Sequence, residues 1–138
     1  MGWLEVFLVL PSGCRVVVIG PLKVKVQLFC GDWHAMGPGK ADLLDAIDRE
    51  GSVPAAGRAL GMGYRKCWML VDRMNSAFVG PLVLTRKNGG PARGARLTDL
   101  GREVVAAFRT LEGEVRAVAE ASPHRQQLLD WLAPAPGG

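Results

Sequence analysis

The segment from residue 52 to 78 constrains the fold most, because it predicts two helices separated by a tight turn. Ser52 can accept a hydrogen bond from a free backbone N–H at the start of the first helix. Pro54 is tolerated in that first turn, since the N–H that it lacks would be unpaired there anyway. We expect this helix to span about 53–60 and to end at the turn Gly61-Met62-Gly63. The helix has small inner side chains that let another helix approach closely, namely Ala55, Ala56 and Ala59.

A second helix follows the turn, and four apolar residues recur along it at spacings of four, three and four. They are Cys67, Val71, Met74 and Phe78. Residues with this spacing lie within about 60° of one another around a helix, so the stripe predicts a buried face. Arg65, Lys66 and Arg73 are left on the outside, where they form either a binding surface or an ordinary solvated helix face. A short helix, a glycine turn and a longer helix are typical of a helix-turn-helix.

Residues 82–98 predict a β-hairpin with a glycine-rich tip at Asn88, Gly89 and Gly90. We expect the side chains of Leu82, Leu84 and Leu97 to face the core. The tip of the hairpin is flanked by four cationic residues, which are Arg86, Lys87, Arg93 and Arg96. The tip matches no glycine motif of nucleotide-binding loops, so the glycines predict a flexible tip that follows a groove or a backbone.

Upstream of this segment, apolar and polar residues alternate from Leu22 to Leu28, which predicts a half-buried strand. Residues 30–39 are rich in turn-forming residues and predict a connector. The next stretch predicts a helix that ends at Gly51, where glycine favours termination. Its apolar face consists of Leu43, Leu44 and Ile47.

Downstream of the hairpin, Thr98 can cap a long helix over about 99–120, which is roughly 33 Å long at 1.5 Å per residue. An apolar seam recurs along it at Val104, Phe108, Leu111, Val115 and Val118. The seam either packs on its own domain or forms a dimer contact, and we favour the dimer because the helix extends beyond a small domain. The tail predicts one amphipathic turn around Leu128, Leu129, Trp131 and Leu132.

The length of 138 residues corresponds to one domain with modest extensions. We expect the domain at 22–98, a linker and dimerisation helix at 99–120, and a tail at 121–138. Residues 1–21 predict either two short strands around a Pro-Ser-Gly turn or a leader from a start codon assigned too far upstream. Glu5 and Arg15 interrupt their apolar run well short of a membrane span, so we expect a cytoplasmic protein without a membrane anchor.

Metal, disulfide and enzyme chemistry have little support in the sequence. Cys14, Cys30 and Cys67 are odd in number and form no Cys-x-x-Cys pair, and only His34 and His124 could join them as ligands. The cysteines are therefore expected to be small buried hydrophobic residues. We expect no metal and no catalytic site, because neither paired carboxylates nor an activated nucleophile is evident.

The charge is distributed unevenly along the chain. Residues 58–96 hold eight Lys and Arg against one acid, Asp72, for a net charge of +7, while the rest of the chain sums to −3. A solvated helix face would intersperse both signs. Positive charge concentrated on the helix-turn-helix and the hairpin is expected of a surface that binds a polyanion such as nucleic acid.

The run GPGKADLLDAIDREGSVPAAGRALGMGYRKCWMLVDRMNSAF, followed by PLV and a hairpin that ends in RLTDLG, strongly resembles a known domain. It is similar, over about 22–115, to the N-terminal winged helix-turn-helix domain of ModE-type, molybdate-responsive transcription regulators, which is LysR-like. The resemblance implies a homodimer that inserts Tyr64, Arg65 and Lys66 into the major groove of double-stranded DNA. It further implies that the wing at 86–96 lies along the adjacent backbone.

The sequence departs from the family pattern in three respects. Pro54 replaces a residue of ordinary helix propensity, and Gly63 stands where the family usually has a capping serine, a change that costs about 1 kcal/mol or less. The third departure is that the residues from Glu120 onward leave no room for the family's molybdate-binding domains, so we expect no cofactor. We therefore expect a stand-alone form.

These observations predict a mainly α fold with a small β-sheet, a winged helix-turn-helix with a long C-terminal dimerisation helix. The predicted function is DNA-binding transcription regulation. The resemblance links this function to molybdate transport or molybdenum metabolism. The alternative is a protein-interaction module that keeps the winged-helix fold without sequence-specific DNA binding. The predicted DNA-binding residues are Ser52, Arg58, Gly63, Tyr64, Arg65, Lys66, Met69, Arg73, Arg86, Lys87, Arg93 and Arg96. The predicted dimerisation residues are those of the seam, Val104, Phe108, Leu111, Val115 and Val118.

Overall fold

The computed structural model describes residues 5–9, 15–19, 22, 24–91 and 93–133, and only the backbone of the first two of these ranges. The described chain is mainly helical with small antiparallel sheets, as the sequence predicts. Its strands are β1 (Glu5–Val9), β2 (Arg15–Ile19), β3 (Leu28–Cys30), β4 (Trp33–Met36), β5 (Val83–Thr85) and β6 (Ala95–Leu97). Its helices are α1 (Pro38–Glu50), α2 (Val53–Leu60), α3 (Tyr64–Ala77), α4 (Asp99–Ala121) and α5 (Pro123–Trp131).

The described strands form three separate hairpins. β1 pairs with β2, β3 with β4 and β5 with β6, each antiparallel. The first pair agrees with the expectation of two short strands near the N-terminus, and the Pro-Ser-Gly turn lies outside the described residues. Within the described ranges, no helix combines the length and the apolar character needed to cross a lipid bilayer.

The core lies between α1, α2, α3, the β5–β6 hairpin and the first half of α4. Its largest fully buried side chains come from several of these elements and include Met36, Leu43, Leu44, Ile47, Met74 and Leu82. The predicted stripe of α3 contributes to it, since Cys67, Val71 and Met74 are buried and Phe78 packs against them half-buried. From α1 onward, three helices, the β5–β6 hairpin and α4 follow one another along the chain.

The helix ends follow the capping residues. Gly51 ends α1 in the left-handed region at φ 78°, where glycine carries no Cβ penalty. Ser52 Oγ accepts a hydrogen bond from Ala55 N at 3.1 Å, which caps α2. Thr98 Oγ1 accepts from Gly101 N at 2.9 Å and caps α4. The predicted boundaries of these three helices are therefore confirmed.

The strand predicted over Leu22–Leu28 is wrong in position. Residues 24–27 form no regular element, and the strand begins at Leu28, the last residue of the alternating run. The predicted connector instead holds a hairpin, with Phe29 opposite His34 and Cys30 opposite Trp33. Gly31 makes this tight turn possible because its φ of 61° lies in the left-handed region.

The inward face of the wing also differs from the prediction. Leu82 precedes the strand, and Asn75 Oδ1 accepts hydrogen bonds from both Leu82 N (2.8 Å) and Val83 N (3.0 Å). Alternation therefore starts after Leu82, so Leu82, Val83 and Thr85 are buried. Leu84 does not face the core, and it lies half-buried opposite Arg96.

Candidate nucleic-acid interface

The close contact between α2 and α3 fixes the position of the second helix. The residue that permits it is Gly57, which the sequence analysis missed in favour of the neighbouring alanines. A Cβ on Gly57 would lie 2.6 Å from Cys67 Sγ, so any larger residue would push α3 away. Burial raises the pKa of the Cys67 thiol, which keeps it protonated and suits its place in the core. Cys30 is exposed, contrary to the expectation of a buried residue, and Cys14 lies outside the described residues.

The first turn of α3 presents its polar and aromatic side chains to solvent. Gly63, the N-cap, contributes no side-chain cap, and no acid occupies the first turn. Tyr64 is 67% exposed, and Arg65 and Lys66 next to it are exposed as well. Met69 and Arg73, one and two turns further along, are also exposed. These predicted base-reading residues therefore lie on the outward side of the helix, where a DNA groove can reach them.

The tip of the wing is a hydrogen-bonded turn rather than an open glycine loop. Residues Arg86–Asn88 form one 3-10 turn, in which Asn88 Oδ1 accepts from Thr85 N at 2.7 Å. Asn88 Nδ2 donates to the Val83 carbonyl at 2.9 Å. A Cβ on Gly90 would lie 2.7 Å from the Leu84 and Thr85 backbone, so glycine is required there for packing. The predicted cations flank this turn and are exposed, namely Arg86, Lys87, Arg93 and Arg96.

Trp68 connects α3 to the wing, and the sequence analysis did not single it out. The Lys87 ammonium lies 5.3 Å from the centroid of the Trp68 ring, within the range of a cation–π contact. The Tyr64 ring meets the same side chain edge-on, with the centroids 6.2 Å apart. The spacing of four between the two aromatic residues was the available signal, but no local pattern could place Lys87 above them.

Ser52 lies with the wing cations, because Ser52, Trp68, Arg86 and Lys87 line one cleft. Ser52 is half-buried and its hydroxyl caps α2, and its role in DNA binding stays a prediction. Arg58 is exposed at the last turn of α2. Arg73 lies on another side of the domain, near Lys40 at the start of α1. Burial lowers the Lys40 pKa most, and the charge of Arg73 lowers it further.

The predicted cations have no acidic partners within the described part of the chain. Among the described residues, none of the eight Lys and Arg between 58 and 96 forms a salt bridge. The ion pairs lie in α1, α4 and their ends, where Arg109 bonds to Asp42 and Asp45. The helix-turn-helix and the wing thus carry positive charge that the fold itself does not neutralise.

The predicted dimerisation seam divides into two parts. Phe108 is 2% exposed and Val104 packs half-buried against the core, so this end of the seam is used within the domain. Val105, which the seam did not include, is buried beside them. Leu111 is 37% exposed and Val118 is 73% exposed, with Val115 half-buried between them. Of the seam residues, those in this second part are the ones left available to another molecule.

The tail forms α5, which is longer than the single turn that the sequence predicts. Leu129 is buried, whereas the other apolar residues of the predicted amphipathic turn are exposed. These exposed residues are Leu128, Trp131 and Leu132.

The described residues thus form a mainly helical fold with exposed cations on α2, α3 and the β5–β6 hairpin. Comparison with known proteins adds a relationship. The chain is 35% identical over 91 residues, 66% of its length, to the molybdenum transport protein ModE of Azotobacter vinelandii. It is 36% identical over 93 residues, 67% of its length, to the molybdenum-pterin-binding protein MopA of Rhodobacter capsulatus.

A third relative is the molybdenum-pterin-binding protein MopB of Rhodobacter capsulatus, 38% identical over 80 residues and 58% of the chain. The matches cover 34%, 35% and 30% of these three proteins, so the chain spans about a third of the curated relatives it matches. No protein-family model matches the chain. The similarities support the resemblance to ModE-like proteins over about two thirds of this chain.

Proposed function

We propose that this chain is a ModE-like transcription regulator that binds double-stranded DNA through α3 and the wing. The observation that carries the proposal is the set of eight cations between residues 58 and 96, none of which has a salt-bridge partner among the described residues. Cations left without partners on one structural unit attract a polyanion and release its counterions on binding.

The recognition helix supplies the sequence-reading contacts in this proposal. Its exposed first turn, Tyr64, Arg65 and Lys66, enters the major groove, where arginine and lysine can bond to guanine O6 and N7. Met69 and Arg73 extend the contact along the helix. Arg86, Lys87, Arg93 and Arg96 follow the adjacent backbone, where phosphate contacts supply affinity and fix the register.

The proposal includes a homodimer formed by the exposed second part of the α4 seam. The two recognition helices then lie one turn of DNA apart, and the binding site has two half-sites at that spacing. The names of the relatives refer to molybdenum transport and molybdenum-pterin binding. We therefore propose that the target genes serve molybdenum metabolism, and footprinting of the tagged protein on genomic DNA tests this directly.

Salt dependence of binding to duplex DNA is the decisive test of the mechanism. If about six phosphates are neutralised, the logarithm of the binding constant falls with the logarithm of salt concentration at a slope near −5. The double variant Arg65→Glu/Arg93→Glu should lose binding by at least about a hundredfold, because it replaces attraction with repulsion at two contacts. A DNA binding constant that does not change with salt concentration, or that is unchanged in the double variant, would favour a protein-interaction module instead.

A further inference from the structure

A cleft of about 350 Å³ opens between the start of α2, Trp68 and the wing. Its walls combine apolar surface with positive charge and contain no acid. The lining residues are Ser52, Val53, Pro54, Trp68, Thr85, Arg86, Lys87 and Gly94. One apolar wall comes from Val53 and Pro54, while the two cations come from the wing. A ligand that fits these walls has an apolar body and an anionic group, which is the composition of a sugar–phosphate unit.

Lys87 is positioned by one contact of its backbone and one contact of its side chain. Its backbone N–H donates to Thr85 Oγ1 at 3.3 Å, and its ammonium lies 5.3 Å from the Trp68 ring centroid. The ring attracts the ammonium without neutralising it, in contrast to a carboxylate partner. The lysine is thereby placed at the cleft with its full charge available to an anion.

Trp68 is a poor choice for packing alone. Its indole Nε1 is buried and has no hydrogen-bond partner within the described part of the chain, which is destabilising. Phenylalanine would fill the same region without a buried donor. Tryptophan is, however, the aromatic side chain that attracts a cation most strongly, so its presence is explained by the Lys87 contact.

We infer that the cleft seats one sugar–phosphate unit of the DNA backbone and that Trp68 is a positioning residue for Lys87. The phosphate lies against Lys87 and Arg86, and the deoxyribose packs on Pro54. This inference rests on the proposed DNA-binding function and adds a contact that joins α2, α3 and the wing to a single point of the backbone.

The first test measures duplex binding against salt for Lys87→Gln, Trp68→Phe, Trp68→Leu and the double variant Trp68→Leu/Lys87→Gln. Lys87→Gln should weaken binding roughly eightfold near 0.1 M salt and make the slope shallower by about 0.9, the effect of one phosphate contact. Trp68→Leu should cause part of this loss, whereas Trp68→Phe keeps a ring under the ammonium and stays within about twofold of wild type. The double variant should bind no more weakly than Lys87→Gln, because Trp68 acts through Lys87.

The second test places a negative charge in the cleft without harming the helix. Pro54 lies in the first turn of α2, where an acid is favourable to the helix dipole. Pro54→Glu should bind DNA at least about tenfold more weakly than its neutral match Pro54→Gln, at an unchanged melting temperature. Arg102→Gln serves as the control for charge outside the cleft, since Arg102 pairs with Asp48 and Asp99, and it should bind as wild type does.

The outcomes distinguish failure of the proposed DNA-binding function from failure of the cleft as a backbone site. Wild-type protein that shows no salt-dependent DNA binding overturns the proposed function and this inference together. Wild-type protein that binds DNA while Pro54→Glu matches Pro54→Gln, or while the Trp68→Leu and Lys87→Gln losses multiply, overturns the inference alone.

Discussion

The α1–α4 face and the surface made by α3 and the wing differ in their charged residues, since the first contains both acids and bases and the second is almost entirely basic. Between α1 and α4, Arg109 bonds to Asp42 at 2.6 Å, to Asp45 at 3.0 Å and to Glu112 at 3.0 Å. In contrast, the eight cations between residues 58 and 96, which lie on α2, α3 and the wing, have no salt bridge to any described residue. Charges on the first face hold two helices together, whereas charges on the second require an anion from outside.

The Arg109 pKa illustrates the first use of charge. Burial lowers the pKa, but the hydrogen bonds that Arg109 donates to Asp42, Asp45 and Glu112 outweigh burial and raise the pKa above its ordinary value. The guanidinium therefore stays charged at every pH at which the protein is folded. Its contribution to the free energy of unfolding is greatest where all three carboxylates are ionised.

The largest expected effect comes from breaking this network with Arg109→Met. Removing the cation leaves three partly buried carboxylates near one another, so unfolding in urea should become easier by about 2–3 kcal/mol. DNA affinity per folded molecule should stay within about twofold, since Arg109 belongs to the other face. Arg49→Met is the matched control, because Arg49 pairs only with its exposed neighbour Glu50, and it should cost less than about 0.5 kcal/mol. A large loss of DNA affinity in Arg109→Met would mean that the α1–α4 face also contributes to DNA binding.

The next effect concerns the exposed end of α4, which belongs to neither charged face. Leu111→Glu and Val118→Glu each place a charge in the proposed dimer contact, and each should weaken dimerisation by at least about tenfold in sedimentation equilibrium. Thermal stability of the monomer should change little, because Val118 is 73% exposed. Glu114→Gln, at an exposed position of the same helix that lies off the seam, serves as the control. Unchanged dimerisation in both apolar variants would remove α4 from the interface.

A smaller effect is expected from Ser52, which the sequence predicts both as the α2 cap and as a DNA-binding residue and whose cap hydrogen bond is present. Ser52→Ala should lower the free energy of unfolding by about 1 kcal/mol, because Ala55 N loses its acceptor. Ser76→Ala, at an exposed position of α3, is the control and should change stability by less than about 0.5 kcal/mol. If Ser52→Ala has wild-type stability but binds DNA more weakly, Ser52 contributes to DNA binding rather than to the stability of α2.

Local features of the fold could be predicted from the sequence because they depend on neighbouring residues. The caps at Gly51, Ser52 and Thr98 follow from side-chain chemistry within three or four positions, and all three are present. The exposed cations of α3 follow from the helical period of its apolar stripe. Knowing which residues are buried thus fixes which ones remain outside.

Features that depend on contacts between distant residues could not be predicted. The register of the wing is set by Asn75, seven and eight residues before the N–H groups that it binds, and this places Leu84 outside rather than inside. The contact of Lys87 with Trp68 joins two elements, and Gly57 is needed only because Cys67 lies against it. None of these contacts leaves a periodic signal, so local patterns point to the binding surface without giving its internal geometry.

The last prediction concerns the place where the cationic face meets the core, at His34, Lys40 and Arg73. Burial lowers the His34 pKa from 6.5, and the charge of Lys40 lowers it further. Burial and the charge of Arg73 also lower the pKa of Lys40, whose ammonium donates to the His34 carbonyl.

The unfolded chain therefore takes up a proton on His34 at a higher pH than the folded chain does. Stability from this group is fully present above about pH 6.5 and is lost as the pH falls towards the lowered folded pKa. The free energy of unfolding should fall more between about pH 7.5 and 5.5 for wild type than for His34→Gln. His124→Gln, at an exposed position of α5, should keep the wild-type pH dependence. Equal pH profiles for His34→Gln and wild type would mean that neither burial nor the charge of Lys40 lowers the His34 pKa.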